Sequence, residues 1–214
     1  MAKTYIYLLR HGETVGNLTG RFLGHTDLGL TELGYTQAQV AARALAEVDF
    51  CAVYSSDLIR AVDTAKPCAD PRGLEVITDR NLRETYFGEW DNQSMQMLQD
   101  EFPELFFGGW RENFGTFAFP GGEGIEQSAQ RVYAALVKIA KRHEGKTVLA
   151  VSHGAVLRAL WGKISGIPAK DWAQKTSFST NASYTVVEYD GDKILPVSFS
   201  NDEHLGDLVT YVKL

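Results

Sequence analysis

Twice in this chain a short apolar run rich in β-formers ends in a histidine followed by a glycine: Leu8-Leu9-Arg10-His11-Gly12 and Ala150-Val151-Ser152-His153-Gly154. Apolar runs of this length, bounded by turn signals, read as buried strands, and the segments between them carry apolar residues at helical spacing. Such alternation predicts an α/β fold, a three-layer α/β/α sandwich with a mostly parallel central sheet. In sheets of that kind the loops at the carboxyl ends of the strands diverge and leave a crevice where ligands bind. One His-Gly at a strand end is ordinarily a turn with a satisfied histidine. Two on neighbouring strands would face each other across one pocket, and each glycine permits a tight turn or close backbone approach beside its histidine.

Strands are expected at Thr4–Leu9, Cys51–Ser55, Glu75–Thr78, Thr147–Val151, Tyr184–Tyr189 and Ile194–Ser198. A polar, glycine-rich loop fills Arg10 to about Leu30. Thr31 is a suitable N-cap for a helix reaching about Glu47. A second helix is expected over Asp57–Ala65, capped by Ser56 or Asp57, and a third over Ala155–Ile164. Ile125, Ala129, Val132, Leu136 and Ile139 mark one face of a long helix ending near His143. The stretch 91–120 has no clean period, yet carries Phe102, Phe106, Phe107, Trp110, Phe114, Phe117 and Phe119. It reads as a lid-like insertion over one end of the sheet, within a single domain spanning 1–214.

The formal net charge of −6 argues against general nucleic-acid binding, so an anion site would have to be built by clustering a few cations locally. No apolar run is long enough for a membrane span, and the N-terminus lacks the features of a signal peptide. Cys51 and Cys68 are expected as reduced, packed thiols, which together with the missing leader predicts a cytoplasmic protein. The five histidines show no ligand spacing, so no metal and no cofactor is expected. Gly145-Lys146-Thr147 resembles the end of a P-loop, but position 140 is Ala where the motif needs Gly, and a strand follows instead of a helix.

Three further groups could act with the histidines. Arg60 falls in the first turn of a helix after a strand end, and with Arg10 could hold one phosphate in two guanidinium forks. Glu84 lies beside Tyr86, Phe87 and Trp90, surroundings that raise a carboxyl pKa and keep it protonated as a general acid.

Leu9-Arg10-His11-Gly12-Glu13-Thr14, with Asn17, Arg21, Gly24, Asp27 and Thr31 after it, resembles the signature of the histidine phosphatase superfamily, phosphoglycerate mutase-like branch. The resemblance continues in order through Ser55-Ser56-Asp57-Leu58, Arg60-Ala61, Leu82, Glu84, Phe87-Gly88, Trp90, Pro120-Gly121-Gly122-Glu123, Ser152-His153-Gly154, Asn181 and Asn201-Asp202. It implies a catalytic set of His11, Glu84, His153, Arg10 and Arg60. His11 would be the nucleophile that forms a phosphohistidine, and Glu84 the acid and then the base. A phosphate pocket of Arg10, His11, Asn17, Arg60 and His153 is also implied, with no metal. Leu23 stands where many relatives carry Gln, Asp91-Asn92 where they carry Glu-Gly, and Gly124 where they carry Ser. None of these touches the five core groups, so they bear on substrate preference.

The expected function is hydrolysis of a small phosphorylated metabolite, broad-specificity or α-ribazole-like. A cofactor-dependent phosphoglycerate mutase is the first alternative. Such mutases carry a longer insertion with a Gly-Leu-Asn-Lys stretch and a longer C-terminal tail, and neither occurs here. A non-catalytic binder of phosphorylated ligands is the second alternative, and it would be expected to lose His11 or Glu84. The aromatic insertion predicts a substrate with an apolar or aromatic portion. Oligomeric state is not legible.

Overall fold

The computed structural model of the chain describes residues 2–210. Six strands form one sheet: β1 (Thr4–Arg10), β2 (Phe50–Ser55), β3 (Val76–Thr78), β4 (Thr147–Ser152), β5 (Tyr184–Tyr189) and β6 (Ile194–Asn201), in the order β3-β2-β4-β1-β5-β6. β3, β2, β4 and β1 pair in parallel, whereas β5 runs antiparallel to both β1 and β6. The sheet is therefore mixed. The parallel block is the part that carries the site.

The helices are α1 (Val15–Leu18), α2 (Glu32–Ala44), α3 (Ile59–Ala69), α4 (Met95–Glu101), α5 (Ile125–Arg142), α6 (Gly154–Ile164) and α7 (Trp172–Lys175). Alternation along the strands divides the core in two. Ile6 and Leu8 of β1 and Val148 and Ala150 of β4 pack under α5 and α6. Leu9, Val53, Leu149 and Val151 face the other way, onto α2 and α3. Cys51 packs against the first of these layers and Cys68 belongs to the second, so the sheet separates the two thiols.

Two boundaries differ from expectation for local reasons. α3 begins at Ile59, later than Asp57, because Leu58 is still extended (φ −71°, ψ 135°). It continues past Ala65 to Ala69 even though Pro67 cannot donate within the helix. α1 was hidden in the loop after β1. It is a single turn closed by Thr14 and Asn17, whose side chains each accept from the other's backbone N–H, too short to leave a periodic signal.

The stretch 91–120 builds a core of its own. Phe106, Trp110, Phe114, Phe117 and Phe119 are buried together with Phe22, Phe87, Trp90 and Trp172, mostly in edge-to-face contacts. Phe102 and Phe107 point outward. Residues 104–111 form π-helix, in which the Glu112 N–H donates to the Phe107 carbonyl at 3.0 Å. The absence of a heptad or 3.6-residue period follows from this: the aromatics pack on one another across short turns, not along one helix face.

Candidate active site

β2, β4 and β1 lie side by side and end level, with Ser55 opposite Val151 and Arg10 opposite Ser152. The residues just past these ends therefore converge. The His11 N–H donates to the Ser152 carbonyl at 3.1 Å, and the rings of His11 and His153 stand with centroids 5.1 Å apart. A pocket of about 470 Å³ opens there, lined on its polar side by Arg10, His11, Asn17, Arg21 and Glu84.

The hydrogen bonds fix the tautomers of the two histidines. A carbonyl can only accept, so the 2.7 Å contact between His11 Nδ1 and the Gly12 carbonyl places the proton on Nδ1 and leaves a lone pair on Nε2. A guanidinium can only donate, so the 3.2 Å contact from Arg60 Nε leaves His153 Nδ1 bare and its proton on Nε2. Both rings are neutral: burial, then the charge of Arg60, holds each well below the ordinary 6.5, with Arg10 adding to the effect on His11. The pair is thus complementary, one ring offering a lone pair and the other an N–H.

His153 Nε2 and Arg10 Nε are buried and have no acceptor among the described residues. Buried donors are normally paired, so two orphans next to one histidine mark a place prepared for an acceptor. Arg10 donates through Nη1 to the Ser179 carbonyl. Burial lowers its pKa to about 10, which leaves it charged at neutral pH. Gly154 gives it room, since a Cβ there would lie 3.2 Å from Arg10 Cζ and Nε.

Arg60 is turned inward. Its Nη atoms donate to the carbonyls of Thr26 (2.9 Å), Gly24 (2.7 Å) and Leu23 (3.3 Å), and its Nε to His153. It is fully buried and does not line the pocket. Asn17 does line it, with Oδ1 taken by Thr14 and by Asn181 Nδ2, which leaves its amide N–H groups for the pocket.

Glu84 sits at the N-terminus of α6, where its carboxylate accepts from the N–H groups of Val156 (2.8 Å), Ala155 (2.9 Å) and Thr85 (2.9 Å). These bonds and the charge of Arg60 favour the anion, as helix N-termini do. Burial outweighs them, and the net effect raises its pKa above the ordinary 4.5. Oε1 takes two of the three bonds, so Oε2 keeps the larger share of free lone-pair capacity. Behind Glu84, Arg131 pairs with both oxygens of Glu123 and donates to the carbonyls of Asn81, Arg83 and Glu84, fixing the segment.

The apolar wall of the pocket comes from Phe22, Leu23, Phe87, Met95, Trp110 and Phe178. Of the seven aromatics noted between Phe102 and Phe119, Trp110 alone lines it. Phe178 and Met95 were missed in the sequence because nothing in their local pattern distinguishes them from core residues. Asp91 bears on more than substrate preference. It accepts from the N–H groups of Gly24, His25 and Thr26 at 2.8–3.0 Å, and so holds the loop whose carbonyls hold Arg60. Asn92 follows at φ 60°, a backbone state that asparagine tolerates better than most residues, which explains how it replaces glycine there.

Residues 6–202 match the model of the histidine phosphatase superfamily, branch 1. The chain belongs to that superfamily. It is 37% identical over 192 residues to phosphoglycerate mutase-like protein 4 of Arabidopsis thaliana, covering 88% of this chain and 81% of that one. It is 36% identical over 210 residues to the metal-independent phosphoserine phosphatase of the same plant, covering 96% and 84%. Among solved structures, a mycobacterial glucosyl-3-phosphoglycerate phosphatase in complex with VO3 superposes with a TM-score of 0.85 at 30% identity, covering 92% of this chain and 99% of that one. Among the described residues no helix is long and apolar enough to cross a membrane, and no cluster of three or more metal-ligating side chains is present.

Proposed function

We propose that this chain hydrolyses phosphomonoesters through a phosphohistidine at His11. One observation carries this: a neutral His11 with a free Nε2 lone pair stands beside two buried donors, Arg10 Nε and His153 Nε2, that have no acceptor of their own. A phosphoryl group in that position would receive both N–H bonds on its equatorial oxygens while Nε2 lies in line for attack.

In the first step the Nε2–P bond forms and the P–O bond to the leaving group breaks, with Glu84 giving its proton to the departing oxygen. In the second step Glu84 takes a proton from water, the water oxygen bonds to phosphorus and the N–P bond breaks, which restores neutral His11 and releases phosphate. Arg60 contributes charge and fixes the His153 tautomer, and Asn17 offers an amide donor. Fixed cationic side chains thereby carry the charge stabilisation that a metal ion supplies in other phosphoryl-transfer sites. The substrate is a small phosphorylated metabolite with an apolar portion against Trp110 and Phe178, and the working compartment is the cytoplasm.

The complete set of nucleophile, acid and orphaned donors favours catalysis over mere binding of phosphorylated ligands. Likeness to a mutase-like protein leaves isomerisation as the second reading. Turnover of p-nitrophenyl phosphate by wild type and His11→Ala tests the first: equal rates would remove the proposed nucleophile. Incubation with 3-phosphoglycerate, with and without a bisphosphoglycerate, tests the second. Fast isomerisation with negligible phosphate release would replace hydrolysis by mutase chemistry.

A further inference from the structure

Arg158 of α6 is an unusual group. Its residue exposure is 8%, and no carboxylate lies within ion-pair distance of it among the described residues. The guanidinium is held between two aromatic faces, with Cζ 4.0 Å from the Phe114 centroid and 4.6 Å from that of Phe178. One edge is satisfied: Nε donates to Thr176 Oγ1 at 2.9 Å, and Nη2 to the carbonyls of Ala173 and Thr176 at 3.0 Å and of Trp172 at 3.3 Å. The other edge is open, since Nη1 has no acceptor among the described residues. A cleft of about 500 Å³ adjoins it, lined by Trp110, Arg111, Arg158, Ala173 and Phe178. Arg111 is exposed and likewise lacks an acidic partner.

Trp110 and Phe178, with ring centroids 6.0 Å apart, line both this cleft and the pocket at His11. Trp110 and Phe178 are thus the aromatic surface common to the phosphoryl pocket and the cleft, and a ligand spanning the two would lie across it with its far end near two guanidinium groups that have no carboxylate partner. In a chain of net charge −6, two arginines without carboxylate partners at one cleft are poised for an external anion.

We infer that Arg158 and Arg111 form a distal anion subsite, and that the preferred substrate is a phosphomonoester bearing a second acidic group beyond an apolar spacer. This deepens the hydrolase assignment and rests on it for the placement of the phosphoryl end. Carboxylate and phosphate share the required chemistry, a planar or tetrahedral oxyanion able to accept two N–H bonds.

The test uses non-hydrolysable phosphonates in matched sets: an arylmethylphosphonate carrying a distal carboxylate, its carboxamide, and the corresponding bisphosphonate. Dissociation constants are measured by calorimetry on wild type, Arg111→Gln and Arg158→Met. The subsite predicts that wild type binds an acidic member roughly tenfold or more tightly than the carboxamide, as a charge-assisted pair warrants. Whichever of carboxylate and bisphosphonate binds tighter identifies the acid. Both variants should bring the acid-to-amide ratio close to one. Arg111 is exposed, so its variant remains informative if Arg158→Met does not fold. A bracket that merely supports Phe178 would weaken acid and amide equally. An unchanged ratio in Arg111→Gln, or a wild type that binds the amide as well as the acids, overturns the subsite. Because these are binding constants, they stand apart from the hydrolase assignment, which fails separately if p-nitrophenyl phosphate releases no phosphate.

Discussion

Removing Asp91 should damage catalysis from a distance. Its two carboxylate oxygens take the N–H groups of Gly24, His25 and Thr26, and the carbonyls of Leu23, Gly24 and Thr26 in the same loop take the Nη atoms of Arg60. Arg60 Nε in turn sets the His153 tautomer. Hydrogen bonds to a charged acceptor contribute about 1.5–3 kcal/mol each. Asp91 is half-buried, so water would replace part of what Asp91→Ala removes, and a loss of about 2–4 kcal/mol is expected from the three. For a chain of 214 residues, that is a fall in Tm of roughly 5–15 °C. Release of the loop should also let Arg60 and His153 drift, and a misplacement of about 1 Å costs on the order of a hundredfold in rate. Thermal unfolding by circular dichroism, with kcat/KM for p-nitrophenyl phosphate measured well below the variant's Tm, gives both quantities. A lower Tm with kcat/KM within threefold of wild type would refute the relay from Asp91 to His153. An unchanged Tm would refute the clamp itself.

Glu84→Gln should lower kcat/KM for alkyl phosphates by roughly 10²–10⁴, the range for a lost general acid, and do far less to p-nitrophenyl phosphate, whose leaving group needs no proton. Equal losses on the two substrates would remove Glu84 from the proton transfer. In wild type, kcat/KM should fall as pH rises through the elevated Glu84 pKa, and Glu84→Gln should lack that limb; a pH series on both proteins checks this. Stability should drop on the acid side: His11 and His153 stay neutral when folded but take up protons on unfolding. Between pH 6.5 and their lower folded pKa values, each therefore removes about 1.4 kcal/mol per pH unit as pH falls. Glu84, whose pKa is raised, acts in the opposite sense, so denaturant midpoints at pH 7 and 5.5 are measured in Glu84→Gln, where a flat profile would mean that the rings are charged in the fold. Gly124→Ser should raise stability by about 0.5–1 kcal/mol, since it adds an N-cap to α5 and removes a glycine where a Cβ meets nothing closer than 3.8 Å; a lower Tm would contradict the open geometry at that cap.

Local signals predicted what local physics decides. Thr31 caps α2 as its position before the helical stripe indicates, and the apolar face of α5 is buried throughout, Ile125 and Ala129 in the aromatic cluster and Val132, Leu136 and Ile139 under the sheet. The two strand-end histidines meet because β1 and β4 are adjacent, parallel and in register, which the sequence pattern suggests but cannot specify. Contacts across the chain were illegible. Glu84 caps a helix whose first N–H donors lie 71 and 72 residues away, and no pattern near position 84 announces that helix. Phe178 becomes a pocket wall only once the turn after α7 is tied to Arg158. The place of Arg60 in a first turn gives no sign of its partners in the 23–26 loop, more than thirty residues earlier, which hold its Nη atoms.

His11 as the covalent nucleophile is the claim on which the rest depends. Rapid mixing with a phosphomonoester, an alkaline quench that preserves phosphohistidine, and peptide mapping by mass spectrometry test it directly. The account predicts one phosphoryl group on the peptide containing His11, formed within the first turnover and absent in His11→Ala. Phosphate release in single-turnover experiments with no phosphorylated enzyme at any time, or a phosphoryl group on another residue, would contradict it.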